Sequence, residues 1–414
     1  MYLSTIDRPA PAGPRRRFAL IGGNVVALGT VSLITDVSSE MVTAILPMYL
    51  VLGLQAGPLG YGVIDGVYTG ATAVLRVVGG YLADRLHGRK LVAGAGYALS
   101  AVAKLGLLLA GRSIPALGLV VAADRLGKGL RTAPRDALIS MSAAPDALGR
   151  AFGLHRTMDA IGAFLGPLVA IGVLAAAGGS YDAVFVASFC VATLAVVVLV
   201  LFVREKGRAA AAPATRPRLA EAALLLRDTR VRRLILAAGL LGLATVGDGF
   251  VYLLLQRRED LGVVWFPLLA VGTSLVYLLL ATPLGLLADR IGRLPVVLGG
   301  GGALAGTYLL LAAPLGGTPL LVLTLGLYGL FYAATDGVLM ALAGPVVPER
   351  LRATGMALIQ TAQALAYLVS SVLFGLAWQL WGPAAASLAA AGAVGVAMAG
   401  TALLLATRRT AVTR

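Results

Sequence analysis

The stretch Gly80-Tyr-Leu-Ala-Asp84-Arg85-Leu-His-Gly88-Arg89-Lys90 recurs as Gly285-Leu-Leu-Ala-Asp289-Arg290-Ile-Gly292-Arg293, with the two aspartates 205 positions apart. Each copy follows a long apolar run and precedes another, so each reads as a short charged link between two membrane spans. A chain of 414 residues that repeats itself at half its length is predicted to be two homologous helical bundles.

Composition supports the membrane reading. Hydrophobic residues make up 59% of the chain and charged residues 13%, with a mean hydropathy of +0.89. Too few polar side chains remain to cover a water-facing surface. A span needs about 20 apolar residues. Runs that meet this lie near 20–53, 60–83, 91–111, 114–136, 151–177 and 182–203, then near 233–255, 262–287, 294–313, 317–342, 353–380 and 383–407. The expected fold is therefore all-α and integral to the membrane, with twelve transmembrane helices in two pseudo-symmetric six-helix bundles. Residues 1–19 form a basic tail, 20–203 the first bundle, 204–232 a linker, 233–407 the second bundle and 408–414 a second tail. Within the linker, 219–233 alternates leucines with charges and predicts an amphipathic helix on the membrane surface.

The net charge of +15 would suit nucleic acid, but its distribution excludes that partner. With both termini cytoplasmic, 25 of the 34 Lys and Arg fall in inner segments, and only Arg112, Arg257 and Arg258 in outer loops. This is the positive-inside pattern, and the excess reads as topology plus attraction to anionic lipid. Residues 1–17 carry Arg15-Arg16-Arg17 and three prolines without a cleavage pattern, so they read as a tail and not a signal peptide. Thirty arginines against four lysines suggest a GC-rich bacterial genome, hence the cytoplasmic (inner) membrane of a bacterium. The one cysteine, Cys190, lies in an apolar run, where buried packing is expected.

Six cations lie in or at the ends of spans, all in the first half: Arg76, Lys104, Arg125, Lys128, Arg131 and Arg156. The first span also carries Asp36 and Glu40, four apart and so on one helix face, and the second carries Asp65. Burial and mutual repulsion oppose all three being charged together, which is what a site that takes up and releases a proton requires. Structural pairing with Arg76, Lys104 or Arg125 is the plainer alternative. In the second half Asp248 and Asp336 sit 212 positions after Asp36 and Asp124 and have no cation in their own half. They must face water, pair across the halves or be protonated. Gln360 and Gln363 in the eleventh span could bond a substrate or another helix.

The repeated link resembles the hallmark Gly-x-x-x-Asp-Arg/Lys-x-Gly-Arg/Lys motif of the major facilitator superfamily, and the resemblance extends over nearly the whole chain. Gly80, Asp84, Arg85, Gly88 and Arg89 match with one extra residue; Gly285, Asp289, Arg290, Gly292 and Arg293 match without insertion. The resemblance implies a cytoplasmic latch that favours the outward-open state. Asp124-Arg125-Leu-Gly-Lys128-Gly129-Leu-Arg131 resembles the superfamily's fourth-span motif, in which the arginine is linked to proton coupling; here lysine and arginine replace its glutamine and second glycine. In the fifth span Gly153, Gly162, Gly166 and Pro167 resemble the first part of its antiporter motif and imply a hinge. His155 and Asp159 on the same span are expected to join Asp124, Arg125 and Lys128 in one polar network. Pro145-Asp and Pro348-Glu open the fifth and eleventh spans alike, which supports the two-half reading.

Other chemistries find little footing. Two histidines and one cysteine without ligand spacing do not make a metal site. No catalytic signature or phosphate loop occurs, so neither an enzyme nor an ATP-driven pump is expected. The resemblance implies a secondary active transporter that works by alternating access, expected to be monomeric and to need no cofactor beyond a proton or other ion gradient. Its partners would be the lipid bilayer and a small-molecule substrate. Proton-coupled export is the leading expectation, with Asp36, Glu40 and Asp65 as carriers. Proton-coupled uptake of an anionic solute, held by Arg76, Lys104, Arg125 and Lys128, is the alternative. A non-transporting membrane sensor on the same fold is a third.

Overall fold

The structure is a computed structural model that describes residues 22–70, 72, 88–111, 113–143, 148–205, 225–343, 346–347 and 352–406. Its regular elements are helices: α1 (Gly23–Met48, continued by a π-helical turn, Tyr49–Gly53), α2 (58–70), α3 (Arg89–Leu109), α4 (Ile114–Ser142), α5 (Leu148–Ala176) and α6 (Tyr181–Phe202) in the first half. The second half holds α7 in two segments (Thr229–Ala244 and Asp248–Glu259), α8 (Pro267–Ile291), α9 (Arg293–Ala312), α10 (Gly317–Ala343), α11 (Arg352–Trp381) and α12 (Pro383–Ala406). Ten of these twelve are long and apolar enough to cross a membrane. The described part of α2 is too short for that test, and α4 holds Asp124, Arg125, Lys128, Arg131, Arg135 and Asp136.

The internal repeat is visible in the packing. In the first half α1 packs on α5 and α6, α3 on α4 and α6; in the second α7 packs on α11 and α12, α9 on α10 and α12. Adding six to each helix number turns one set into the other. Small residues set the closest approaches, as lipid-embedded helices require. A Cβ on Gly127 would lie 2.5 Å from the Gly96 carbonyl, and Ser38 and Ser188 exchange hydroxyl-to-carbonyl bonds of 2.7 Å between α1 and α6.

Local chemistry fixes several helix starts. Ser113, Ser180 and Asp228 cap α4, α6 and α7 by accepting backbone N–H bonds. The Asp228 cap starts α7 at Thr229, so Thr229–Arg233 belongs to the bundle; the rest of the expected amphipathic segment, up to 224, lies outside the described residues. Gly292 adopts φ 99° between α8 and α9, a conformation that favours glycine in the second copy of the link, whereas Gly88 in the first has φ −122°.

One expectation is corrected, and one feature of the seventh span was not anticipated. Cys190 is exposed, on an α6 face that also shows Val186, Leu194 and Val197 to the surroundings. An apolar surface of that kind faces lipid, so an apolar run did not entail burial in protein. The seventh span is broken at 245–247, where the backbone turns extended. Its freed groups meet tyrosines: the Val246 N–H donates to Tyr308 Oη at 2.8 Å, and Tyr328 Oη lies 3.3 Å from the Val246 carbonyl, its one proton shared between that carbonyl and Asp248. Unwound backbone at membrane depth survives only with such partners.

Candidate functional site

Between the halves lies a cavity of about 580 Å³. Its lining joins Glu40 and Thr43 of α1, Asp65 and Tyr68 of α2, Asp248 and Tyr252 of α7, and Tyr332 and Tyr367 of α10 and α11. Among the described residues Tyr61 and Tyr277 bring the tyrosines to six, beside three carboxylates, and neither lysine nor arginine lines it. A site of this composition offers negative charge, aromatic faces and hydroxyls together. That suits a cation, which gains from carboxylates and from ring faces.

The carboxylates differ in their supports. Asp248 opens the second segment of α7 and accepts from Tyr328 Oη at 2.7 Å and from Tyr332 Oη. Asp65 accepts from Tyr61 Oη at 3.3 Å on its own helix, from Ser371 Oγ at 2.6 Å on α11, and from Tyr367. Glu40 lies beside Gly166 of α5, and Lys128 is the cation with the strongest pull on both Glu40 and Asp36. Asp36 is a turn away from the cavity lining, beside Gly162.

Lys104, Arg125 and Arg135 form structural pairs, and among the described residues no first-half lysine or arginine lines the cavity. Lys104 Nζ lies 3.2 Å from Asp124 Oδ1, and Arg125 pairs with Asp124 Oδ2. The Arg125 guanidinium stacks over the Tyr68 ring at 3.8 Å, and Tyr68 Oη bonds Thr43 Oγ1 at 2.7 Å. Tyr68 thus stands as a wall between this buried triad and the cavity. Nearer the terminal end Arg131 bonds Ser100 and stacks over Tyr97, Arg135 bonds Asp136 and Ser32, and His155 lies 3.4 Å from Asp159. Of the network expected from Asp124 to Asp159, close contacts join Asp124 to Lys104 and Arg125 at one end and His155 to Asp159 at the other. Lys128 stands between them, where its charge acts on Arg125, Asp36 and Asp159.

The remaining candidates fall elsewhere. Gln363 packs its backbone against Gly242, and neither it nor Gln360 lines the cavity. Gly162 and Gly166 let α1 approach α5, which runs unbroken through Pro167, while a Cβ on Gly153 would meet nothing within 4 Å. In the second link Arg293 lies 4.0 Å from Asp289. In the first, the N–H groups of Arg89 and Lys90 donate to the Glu205 carboxylate at 2.9 and 3.2 Å. Arg76, Gly80, Asp84 and Arg85 lie outside the described residues, as does the side chain of Asp336.

A broken helix, a cavity at the junction of two repeated bundles and buried charge on the fourth helix together specify a transporter architecture. The model of the Major Facilitator Superfamily matches residues 28–273 and 259–414. The chain belongs to the major facilitator superfamily. It is a multi-pass membrane transporter, not an enzyme. An uncharacterized MFS-type transporter of Methanocaldococcus jannaschii is 31% identical over 364 residues, 86% of this chain and 89% of that one. Among solved structures, a mutant of the nucleoside transporter NupG superposes with a TM-score of 0.80 at 16% identity, over 92% of this chain and 100% of that one. A POT family transporter in complex with 5-aminolevulinic acid gives 0.75 at 14%, over 93% and 96%. At those identities the superfamily fold is what is shared.

Sequence reasoning missed the tyrosines. Their signal was available: the chain has 13 tyrosines against 10 phenylalanines, and Tyr61/Tyr68 and Tyr328/Tyr332 recur at helical spacing inside spans. Tyrosine in a span is costly unless its hydroxyl finds a partner, so a surplus there marks a polar interior.

Proposed function

We propose that this superfamily member is a proton-coupled exporter that exchanges protons for a small organic cation. The observation that carries this reading is the cavity lining of Glu40, Asp65, Asp248 and six tyrosines, without a lysine or arginine among the described residues. Asp65 and Asp248, whose side chains accept from hydroxyls, can hold either a proton or a cationic substrate, and competition between the two is the elementary step of antiport. The driving force is an ion gradient, with no cofactor, and the transporter works as a monomer. The positive-inside distribution supports a bacterial inner membrane with both termini cytoplasmic.

The uptake alternative places an anion against Arg76, Lys104, Arg125 and Lys128. Asp124 already neutralises Lys104 and Arg125 at close range, and Tyr68 separates that pair from the cavity; Arg76 lies outside the described residues. The test is proton flux in proteoliposomes under an imposed pH gradient, with pooled lipophilic organic cations or organic anions. Cation-dependent flux that is lost in Asp248→Asn is the expected result. Flux with anions alone would overturn export of cations in favour of uptake. Silence from every pool in folded protein would favour the sensor.

A further inference from the structure

At the end of the bundle away from the termini, the two halves meet without a gap. A Cβ on Gly375 of α11 would lie 2.5 Å from the Pro58 carbonyl, and one on Gly66 would lie 2.9 Å from the Leu368 carbonyl. Gly62 sits directly under the Ser371 carbonyl, and Gly249 under Tyr61 Oη and Pro47. Phe250 closes the layer, with ring centroids 4.7 Å from Tyr61, 4.9 Å from Phe374 and 5.8 Å from Trp378. With the orientation proposed above, this is the outer end.

Asp65 stands at the base of that seal and also lines the cavity. Two of its three hydrogen-bond donors, Ser371 and Tyr367, come from the other half. The same carboxylate therefore faces the transported species on one side and holds the outer ends together on the other. Around it stand Tyr61 from its own helix, Glu40 from α1, Asp248 and Tyr252 from α7, Tyr332 from α10 and Tyr367 from α11.

We propose that Ser371 and Tyr367 are positioning residues that use the empty, ionised Asp65 to clamp the outer gate shut, so that only a carrier holding a proton or a cation there can open outward. All three donors are hydroxyls, and each gives a stronger bond to a carboxylate than to a carboxylic acid. A proton arriving from cavity water converts the carboxylate to the acid, adds a donor where only acceptors stood and weakens both cross-half bonds. An organic cation at Asp65 competes for the same oxygen lone pairs. The consequence is obligatory exchange: an unloaded carrier cannot return outward and dissipate the gradient. This rests on the antiport reading for its meaning and on the cross-half geometry for its existence.

The experiment measures the gate without substrate. Spin labels at Leu52 and Trp381, in a Cys190→Ser background and lipid nanodiscs, report the separation of the outer ends by pulsed electron resonance. In the parent protein the long-distance population is expected to grow as pH falls. In Asp65→Asn it should be raised at high pH and no longer respond to pH. In Ser371→Ala/Tyr367→Phe the open-to-closed ratio at high pH should rise by about tenfold or more, the equivalent of one hydrogen bond to a charged group. An unchanged ratio in the double variant, or a parental pH response in the near-isosteric Asp65→Asn, would overturn the clamp. A working clamp in protein that exchanges no protons for cations would instead count against antiport alone, since this readout needs no transport.

Discussion

The side chains of α4 show how a membrane interior tolerates many charges without exposing them to the transported species. Lys104 and Arg125 are each 3% exposed and share Asp124 between them. Removing one partner of a buried pair leaves a charge unmatched, at a cost of about 3–5 kcal/mol. Asp124→Asn is therefore expected to lower the melting temperature markedly in detergent. Lys104→Met added to it should recover part of the loss, since one unmatched cation goes with it. If the double variant melts no higher than Asp124→Asn, the triad is not held by charge. The presence of these residues was legible in the sequence, because a charge inside an apolar run is conspicuous. Their partners were not legible: Asp124 sits four positions from Lys128 and eleven from Arg135, yet it bonds Lys104 of another helix and Arg125 next to it. Spacing along one helix says nothing about what the neighbouring helix supplies.

Helices of this protein carry glycines for different reasons, and α5 holds both kinds. A Cβ on Gly162 would press into the Leu33 carbonyl at 2.5 Å, whereas one on Gly153 meets nothing. Gly153→Ala is expected to stabilise by about 0.5–1 kcal/mol, the backbone entropy that glycine adds to the unfolded chain. Gly162→Ala should destabilise by about 1–3 kcal/mol, as overpacking does. Thermal unfolding of the two variants side by side checks the signs, and equal behaviour would deny that Gly162 sets the α1–α5 distance. The motif resemblance singled out both glycines alike, since a motif records residue type and not what faces it. The break in α7 was hidden for a related reason. Leu234 through Leu255 is almost continuously apolar, with Gly247 and Asp248 the only hint, and the tyrosines that meet the unwound backbone come from 62 and 82 residues beyond Val246.

At the scale of the whole molecule, the repeat that reveals two bundles in the sequence does not reveal how they sit together, because that depends on which end is closed. The contacts between Gly57–Gly70 and Leu368–Gln379 close the end away from the termini, while the cavity lies beside them. Alternating access requires those contacts to part in every cycle. Gly57 and Gln379 are neighbours across the junction, a Cβ on the first lying 3.8 Å from Oε1 of the second. In a Cys190→Ser background, Gly57→Cys/Gln379→Cys bridged by a short bifunctional thiol reagent should hold the halves in this arrangement. Transport in proteoliposomes is then expected to fall to background, whereas either single cysteine treated alike should retain it. Relative to the labelling rates of the two single cysteines, which carry the thiol's own pH dependence, the bridge should form less readily at low pH, where a protonated Asp65 no longer clamps the ends, and more readily at high pH. Full transport in the bridged protein would mean that the outer ends need not separate. Bridging that ignores pH while transport is blocked would leave the rocking motion in place and remove Asp65 from its control.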